Sequence, residues 1–190
     1  MRTNLRSPKM MGPFNDPAGY DRHTGPFRKL HGRVAADAAR AGLPDEARVL
    51  DVGTGPGRVA RALATEHPQW TVDAIDLDPE MIAYARGRDP EGRVSFAVGD
   101  VADLPYPDAT FDLIVTSMSQ HHWTDVEGAL HSLRRVLRPG GRLWIYDARF
   151  VLRRARRAAQ VTFSSGAVHV DPVRTGHFPL TIFARLSAQA

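Results

Sequence analysis

The sequence predicts an α/β fold, a doubly wound and mostly parallel sheet of seven strands in one domain. Three observations carry this. Strand-like and helix-like patterns alternate along the chain. The strand patterns at 47–52, 111–116 and 142–146 are near-continuous apolar runs, as expected for strands covered on both faces. A length of 190 residues with a 43% hydrophobic fraction suits a single core.

Residues 1–19 contain Pro8, Pro13 and Pro17 and are read as an irregular arm, with one domain over 20–190. Leu30, Val34, Ala38 and Ala41 recur at helical spacing, so a helix is expected over 28–41, ended by Gly42 and Pro44. Strand and helix then alternate. A strand at 47–52 is followed by a helix at 58–66. A second strand, 71–75, precedes a helix at 79–86 capped by Asp78. Strands follow at 94–98 and 111–116, then a helix at 125–137. Arg138-Pro-Gly-Gly141 reads as a turn into a strand at 142–146. A helix at 151–161 and two strands, 167–173 and 180–186, complete the pattern. The turn 175–179 joins those two strands, so they are expected to pair antiparallel.

The most informative stretch is Val49-Leu-Asp-Val-Gly-Thr-Gly-Pro-Gly-Arg58. It is a strand, a glycine loop and a helix start in a row. Alternating glycines at 53, 55 and 57 let the backbone bend sharply and let a ligand lie against it. The N–H groups of the helix start point at that ligand. Asp51 stands ahead of the glycines, which repels a pyrophosphate and suits a ligand carrying an ammonium or sulfonium. A second acid, Asp76, follows the second strand, where a carboxylate can accept from both ribose hydroxyls. A third, Asp100, follows the third strand and can take the exocyclic amine of adenine. All three lie at the carboxyl edge of one predicted sheet, where open α/β sheets bind ligands. Singly, each acid also reads as a loop cap, a helix cap or a turn residue. The dinucleotide fingerprint wants Gly-x-Gly-x-x-Gly, and here the third glycine falls one residue early, so NAD is the weaker cofactor.

On these residues the chain resembles a class I S-adenosylmethionine-dependent methyltransferase of the small-molecule type, near the ubiquinone/menaquinone methyltransferases. The matching segments are VLDVGTGPG (49–57), AIDLDPEMIAYAR (74–86), FAVGDVADLPYPDATFDLIVTS (96–117), QHHWTD (120–125) and LRRVLRPGGRLWIYD (133–147). The resemblance implies a Rossmann-like sheet with an antiparallel C-terminal strand, and S-adenosylmethionine as cofactor. It further implies that Asp51 and Gly53 hold the methionine amino end, that Thr54 beside them is cofactor-binding, that Gly55 and Gly57 shape the turn, and that Asp76 takes the ribose. Leu77 would flank adenine, Asp100 and Val101 would bind its edge, and Ser117 would lie beside the sulfonium. In similar enzymes an N-terminal segment closes over the cofactor with a tyrosine near its carboxylate, and Tyr20 matches that place. Met10, Met11, Phe14 and Phe27 are the other large apolar groups of the segment; the alternative is a tail through Pro17.

The implied reaction moves a methyl group to an O, N or C atom of a small organic molecule. The rivals are RNA or protein methylation and a non-methylating S-adenosylmethionine-binding subunit. Positioning supplies most of the acceleration of an in-line methyl transfer. A general base matters only for a hydroxyl or a protonated amine, and His121 and His122 are the candidates; the alternative for both is loop structure. Trp123 reads as a packing residue. The arginines at 149, 153, 154, 156 and 157 read as a solvated helix face rather than an RNA or phosphate site. Only Ala148-Arg-Phe150 fills the place where many similar enzymes carry a roof, so an open acceptor pocket is expected, covered by the arm or by a second subunit in a homodimer.

Composition bounds the rest. Cysteine is absent, which rules out disulfides and cysteine-ligated metal and agrees with a cytoplasmic protein. The basic balance is almost all arginine, lysine occurring only at Lys9 and Lys29, and argues for no nucleic-acid partner by itself. No run of about 18 apolar residues is present, so no membrane contact is expected. The polar opening residues lack the apolar stretch of a secretory leader.

Overall fold

The computed structural model describes residues 16–24, 27–175 and 181–190. The elements run in chain order as α1 (Pro17–His23), α2 (Arg28–Ala39), β1 (Arg48–Val52), α3 (Arg58–Glu66), β2 (Thr71–Asp76), α4 (Pro79–Gly87) and β3 (Val94–Val98). Then come β4 (Phe111–Ser117), a 3-10 turn (Gln120–His122), α5 (Val126–Val136), β5 (Leu137–Ala148), α6 (Leu152–Thr162), a second 3-10 turn (Ser165–Ala167), β6 (Val168–Val173) and β7 (Phe183–Gln189).

One sheet of seven strands has the order β3-β2-β1-β4-β5-β7-β6. The pairs β1–β2, β1–β4, β2–β3 and β4–β5 are parallel, whereas β7 runs antiparallel to both β5 and β6. This is the doubly wound, mostly parallel sheet expected, with its antiparallel C-terminal strand. Successive side chains of a strand face opposite sides. Val49, Val72, Ala74, Leu113 and Val115 therefore pack with α2, α3 and α4 on one face. Leu50, Ile75, Ile114, Leu143 and Ile145 pack with α5 and α6 on the other.

The order reverses between β1 and β4, so their carboxyl ends open the crevice in which such sheets take ligands. Register aligns the neighbouring ends: Val52 pairs with Ile75, and Asp76 with Val98. The outer side of the sheet is tied to α2 through Asp37, which is 7% exposed. It accepts from the Tyr146 hydroxyl at 2.8 Å and from Arg33, Arg40 and Arg185 at 2.8, 3.0 and 3.2 Å.

Three elements differ from expectation. Residues 17–19 belong to α1 rather than to an irregular arm: Asp16 accepts the Gly19 N–H at 2.6 Å as N-cap, and Pro17 opens the helix with its φ already suited. Residues 138–141 continue β5 instead of forming a turn before it; Leu137 already pairs with Phe111, and the register shifts between Phe111 and Leu113 to absorb the extra residues. The 3-10 turn after β4 was not anticipated. Met10, Met11, Phe14 and the centre of the turn at 175–179 lie outside the described residues. Among the described residues no helix is long and apolar enough to cross a membrane.

Candidate active site

The glycine loop between β1 and α3 is shaped by close approach. Gly53 has φ 67°, and a Cβ there would overlap the Ser119 hydroxyl from the loop after β4. Gly57 has φ 76°, and its Cβ would stand 2.8 Å from the Phe96 ring. Both positions therefore need a residue without a side chain. The loop is stitched to β2 by the Thr54 N–H, which donates to the Ile75 carbonyl at 2.9 Å.

Asp51 is 1% exposed and faces the start of α3. Its Oδ2 accepts from the Thr54 hydroxyl at 2.7 Å and from the Ala60 N–H at 3.2 Å. No Lys, Arg or His of the described residues pairs with it. Burial pushes its carboxyl up to about 7, against those two hydrogen bonds, and the charge of Asp76 adds to the rise. Asp51, expected at the methionine amino end, thus caps a backbone N–H in the first turn of α3.

Asp76 accepts the Gly55 N–H at 2.8 Å on one oxygen and the Asp78 N–H at 3.0 Å on the other. Burial raises its carboxyl above the usual range, partly offset by these backbone donors. Asp100 follows β3, is half-buried, and accepts the Ala102 N–H at 2.9 Å. Leu77 is exposed beside Asp76 and Val101 packs at the edge of the second core. The three acids therefore do stand in a row at the ends of β1, β2 and β3.

A cavity opens at the β1–β4 reversal, lined by Tyr20, His31, Asp51, Gly53, Gly55 and Ser117 among others. Its lining includes Asp51 but neither Asp76 nor Asp100. Tyr20 roofs it from α1, with Cε1 at 3.8 Å from the Gly55 Cβ position. Burial raises the Tyr20 phenol, and the charges of Asp76 and Asp147 add to the rise, so both carboxylates lie within electrostatic reach of this roof. The Ser117 hydroxyl is buried without a partner among the described residues.

α1 is fastened by contacts that the sequence alone does not reveal. Asp21, 6% exposed, pairs with Arg58 at the start of α3 and accepts the Tyr84 hydroxyl of α4 at 3.1 Å. Arg88 adds a longer contact at 3.5 Å. Burial pushes the Asp21 carboxyl up, but the Arg58 and Tyr84 hydrogen bonds outweigh it and hold it below the usual range. His31 was also missed: burial, then the Arg58 charge, lowers its imidazole to about 4, so it faces the cavity neutral.

The loop after β4 carries the expected histidines. His121 lies with Nδ1 3.0 Å from an oxygen of Asp147, a fully buried acid near the end of β5 to which no role was assigned from sequence. That hydrogen bond raises the His121 imidazole despite burial, whereas burial, then the neighbouring His121, lowers His122. Trp123 packs against the second core, as expected, with Nε1–H 3.3 Å from the Ser119 hydroxyl. Arg149, Arg153, Arg154, Arg156 and Arg157 are exposed and make no ion pair with a described residue. No described residue of 148–165 lines this cavity.

Residues 50–145 match the family model described as a methyltransferase domain. Demethylmenaquinone methyltransferase of Deinococcus radiodurans is 40% identical over 117 residues, covering 60% of this chain and 48% of that protein. The 27-O-demethylrifamycin SV methyltransferase of Amycolatopsis mediterranei is 38% identical over 104 residues, 53% of this chain and 38% of that one. The chain spans about half the length, or less, of these curated relatives. Among solved structures, a SAM-dependent methyltransferase from Aquifex aeolicus superposes with a TM-score of 0.71 at 23% identity, covering 92% of this chain and 98% of that one; the likeness carries the fold.

Proposed function

The chain belongs to the methyltransferase-domain family, and we propose that it moves the methyl group of S-adenosylmethionine to an acceptor atom on a small organic molecule. The observation that carries this is Asp51. A buried carboxyl with no cation partner among the described residues, pushed up to about 7, is poised to gain from a cationic ligand. The glycine loop beside it leaves backbone room, and Ser117 offers a buried hydroxyl without a partner among the described residues. These residues fit an adenosyl ligand with an ammonium and a sulfonium. Bound there, S-adenosylmethionine supplies an electrophilic methyl on positive sulfur.

On this reading Asp51, Gly53 and Thr54 hold the amino end, and Tyr20 covers it from α1. Gly55 and Gly57 let the backbone pass close. Asp76 takes the ribose, Leu77 flanks the adenine, and Asp100 and Val101 meet its edge. Ser117 lies beside sulfur. The loop of His121 and His122 faces the acceptor. The relatives named above carry the names of demethylmenaquinone and rifamycin methyltransferases, and a small organic acceptor is carried over from them at that level only.

Methylation of RNA draws on one observation, the exposed arginines of α6. Both readings are tested by release of S-adenosylhomocysteine with phenols, amines and total RNA as acceptors. Turnover with small molecules and none with RNA is expected; turnover confined to RNA would replace the proposal by its rival.

A further inference from the structure

We propose that Asp147 holds His121 as the general base of an oxygen-methylating site, so that the acceptor is a hydroxyl that loses its proton as the methyl arrives. The inference rests on the methyl-transfer reading above and names its substrate class.

Asp147 is 0% exposed. Its Oδ2 lies 3.0 Å from His121 Nδ1 and accepts the His121 backbone N–H at 3.3 Å, while Oδ1 accepts the Ala148 N–H at 2.8 Å. Ring and backbone of one histidine are thus pinned to one oxygen. A neutral ring that donates from Nδ1 to this carboxylate presents its lone pair at Nε2. Nε2 makes no hydrogen bond to a described residue, and the side chain is 31% exposed, so a ligand can reach it. The same turn begins at Ser119, whose hydroxyl abuts Gly53, and Ser117 and Met118 just before it line the cavity. The base therefore sits on the segment that borders the place assigned to sulfur.

The pair also has the right electrostatics. A buried carboxylate with no other cation in contact among the described residues gains most when the ring beside it becomes imidazolium. The groups whose charges bear on His121 are Asp147 from β5 and His122 on its own turn, 4.0 Å away between ring centroids. Burial, then the His121 charge, lowers the His122 imidazole against the opposing pull of Asp147. In the step, the acceptor oxygen forms the bond to the methyl carbon, the carbon–sulfur bonding pair returns to sulfur, and the hydroxyl proton passes to His121 Nε2 and later to solvent. An acceptor already ionised, or a neutral amine, needs no such base. Asp147 touches neither the methyl nor the acceptor, so it is a positioning residue.

The test uses the whole chain and its Asp147→Asn and His121→Gln variants. Calorimetry with S-adenosylhomocysteine is expected to give affinities within about threefold of one another. Failure of the unaltered chain to bind it would sink the cofactor reading and this proposal with it. Turnover is then compared on phenol, with a pKa of ~10, and on 4-nitrophenol, which is ionised near neutrality. Both variants are expected to lose about 100- to 1,000-fold with phenol but less than about tenfold with 4-nitrophenol, the products being aryl methyl ethers. By NMR, the His121 ring is expected to titrate above an ordinary imidazole and to fall back in Asp147→Asn. His121→Gln leaves the carboxylate in place and keeps the comparison alive should Asp147→Asn not fold. Equal losses on the two phenols, no phenol methylated, methyl found on carbon, or a His121 titration unmoved by Asp147→Asn would each overturn the proposal while leaving cofactor binding intact.

Discussion

Asp76, at the end of β2, accepts the backbone N–H of Gly55 at 2.8 Å. The acid of the second strand and the glycine loop of the first are therefore one unit, and an adenosyl ligand would meet both together. Asp76→Ala removes this tie and the acceptor for the ribose. A hydrogen bond to a charged group contributes about 1.5–3 kcal/mol, so even one lost ribose contact should lower affinity for S-adenosylhomocysteine at least roughly 10- to 150-fold by calorimetry. Unchanged affinity would remove Asp76 from the site.

Gly53 carries a second prediction. A Cβ there meets the Ser119 hydroxyl, and φ is 67°. Gly53→Ala should cost about 1–3 kcal/mol of stability and weaken cofactor binding, because the β1 and β4 loops must separate. Adding Ser119→Gly relieves the overlap but not the backbone strain, so thermal denaturation should show partial recovery. Full stability in the single variant would mean that the two loops do not meet as described.

Asp51 ties cofactor binding to pH. Its carboxyl is raised to about 7 by burial, so near that pH the free protein holds it partly protonated. An ammonium beside it favours the charged form. Binding near neutrality should then release about half a proton per ligand from Asp51, and affinity should rise as pH climbs through 7. Titration calorimetry in buffers of different ionisation enthalpy measures that release. Asp51→Asn should abolish it, and equal release in that variant would contradict the assignment.

The Asp37 node makes a prediction about stability. Burial pushes its carboxyl up, but the Tyr146 hydroxyl and Arg33 outweigh this and hold it below the usual carboxylate range. A carboxyl lowered in the folded state stabilises it above the unfolded value, and that contribution is lost as pH falls through the folded one. Asp37→Asn should cost about 1–3 kcal/mol at neutral pH and flatten the acid limb of a denaturation profile. An acid limb as steep as the parent's would count against it.

Much of this was legible because local pattern and tertiary burial agree. The helix Arg58–Glu66 and the strand Val94–Val98 fall where periodicity puts them, since their buried apolar positions are those that face the first core. Residues 138–141 misled for a physical reason: Pro139 and Gly140, the latter with φ 79°, are turn formers, yet pairing on either side keeps them within β5. The helix α1 has only seven residues, too few for a periodic signal; the Asp16-Pro17 start was its one mark. The acids Asp51, Asp76 and Asp100 were legible as acids at strand ends: Asp51 is next to last in β1, Asp76 is last in β2, and Asp100 comes just after β3. Asp147 also ends a strand, but its partner His121 comes from another strand's loop, and sequence alone does not pair them. The Asp21–Arg58 fastening of α1 was hidden in the same way.

The most direct measurement is a calorimetric titration of the whole chain with S-adenosylmethionine, S-adenosylhomocysteine and, separately, NAD. The acid-lined glycine loop predicts one saturable site for each adenosyl ligand and no heat with NAD. Binding of NAD, with both sulfur ligands silent, would contradict the account at its root.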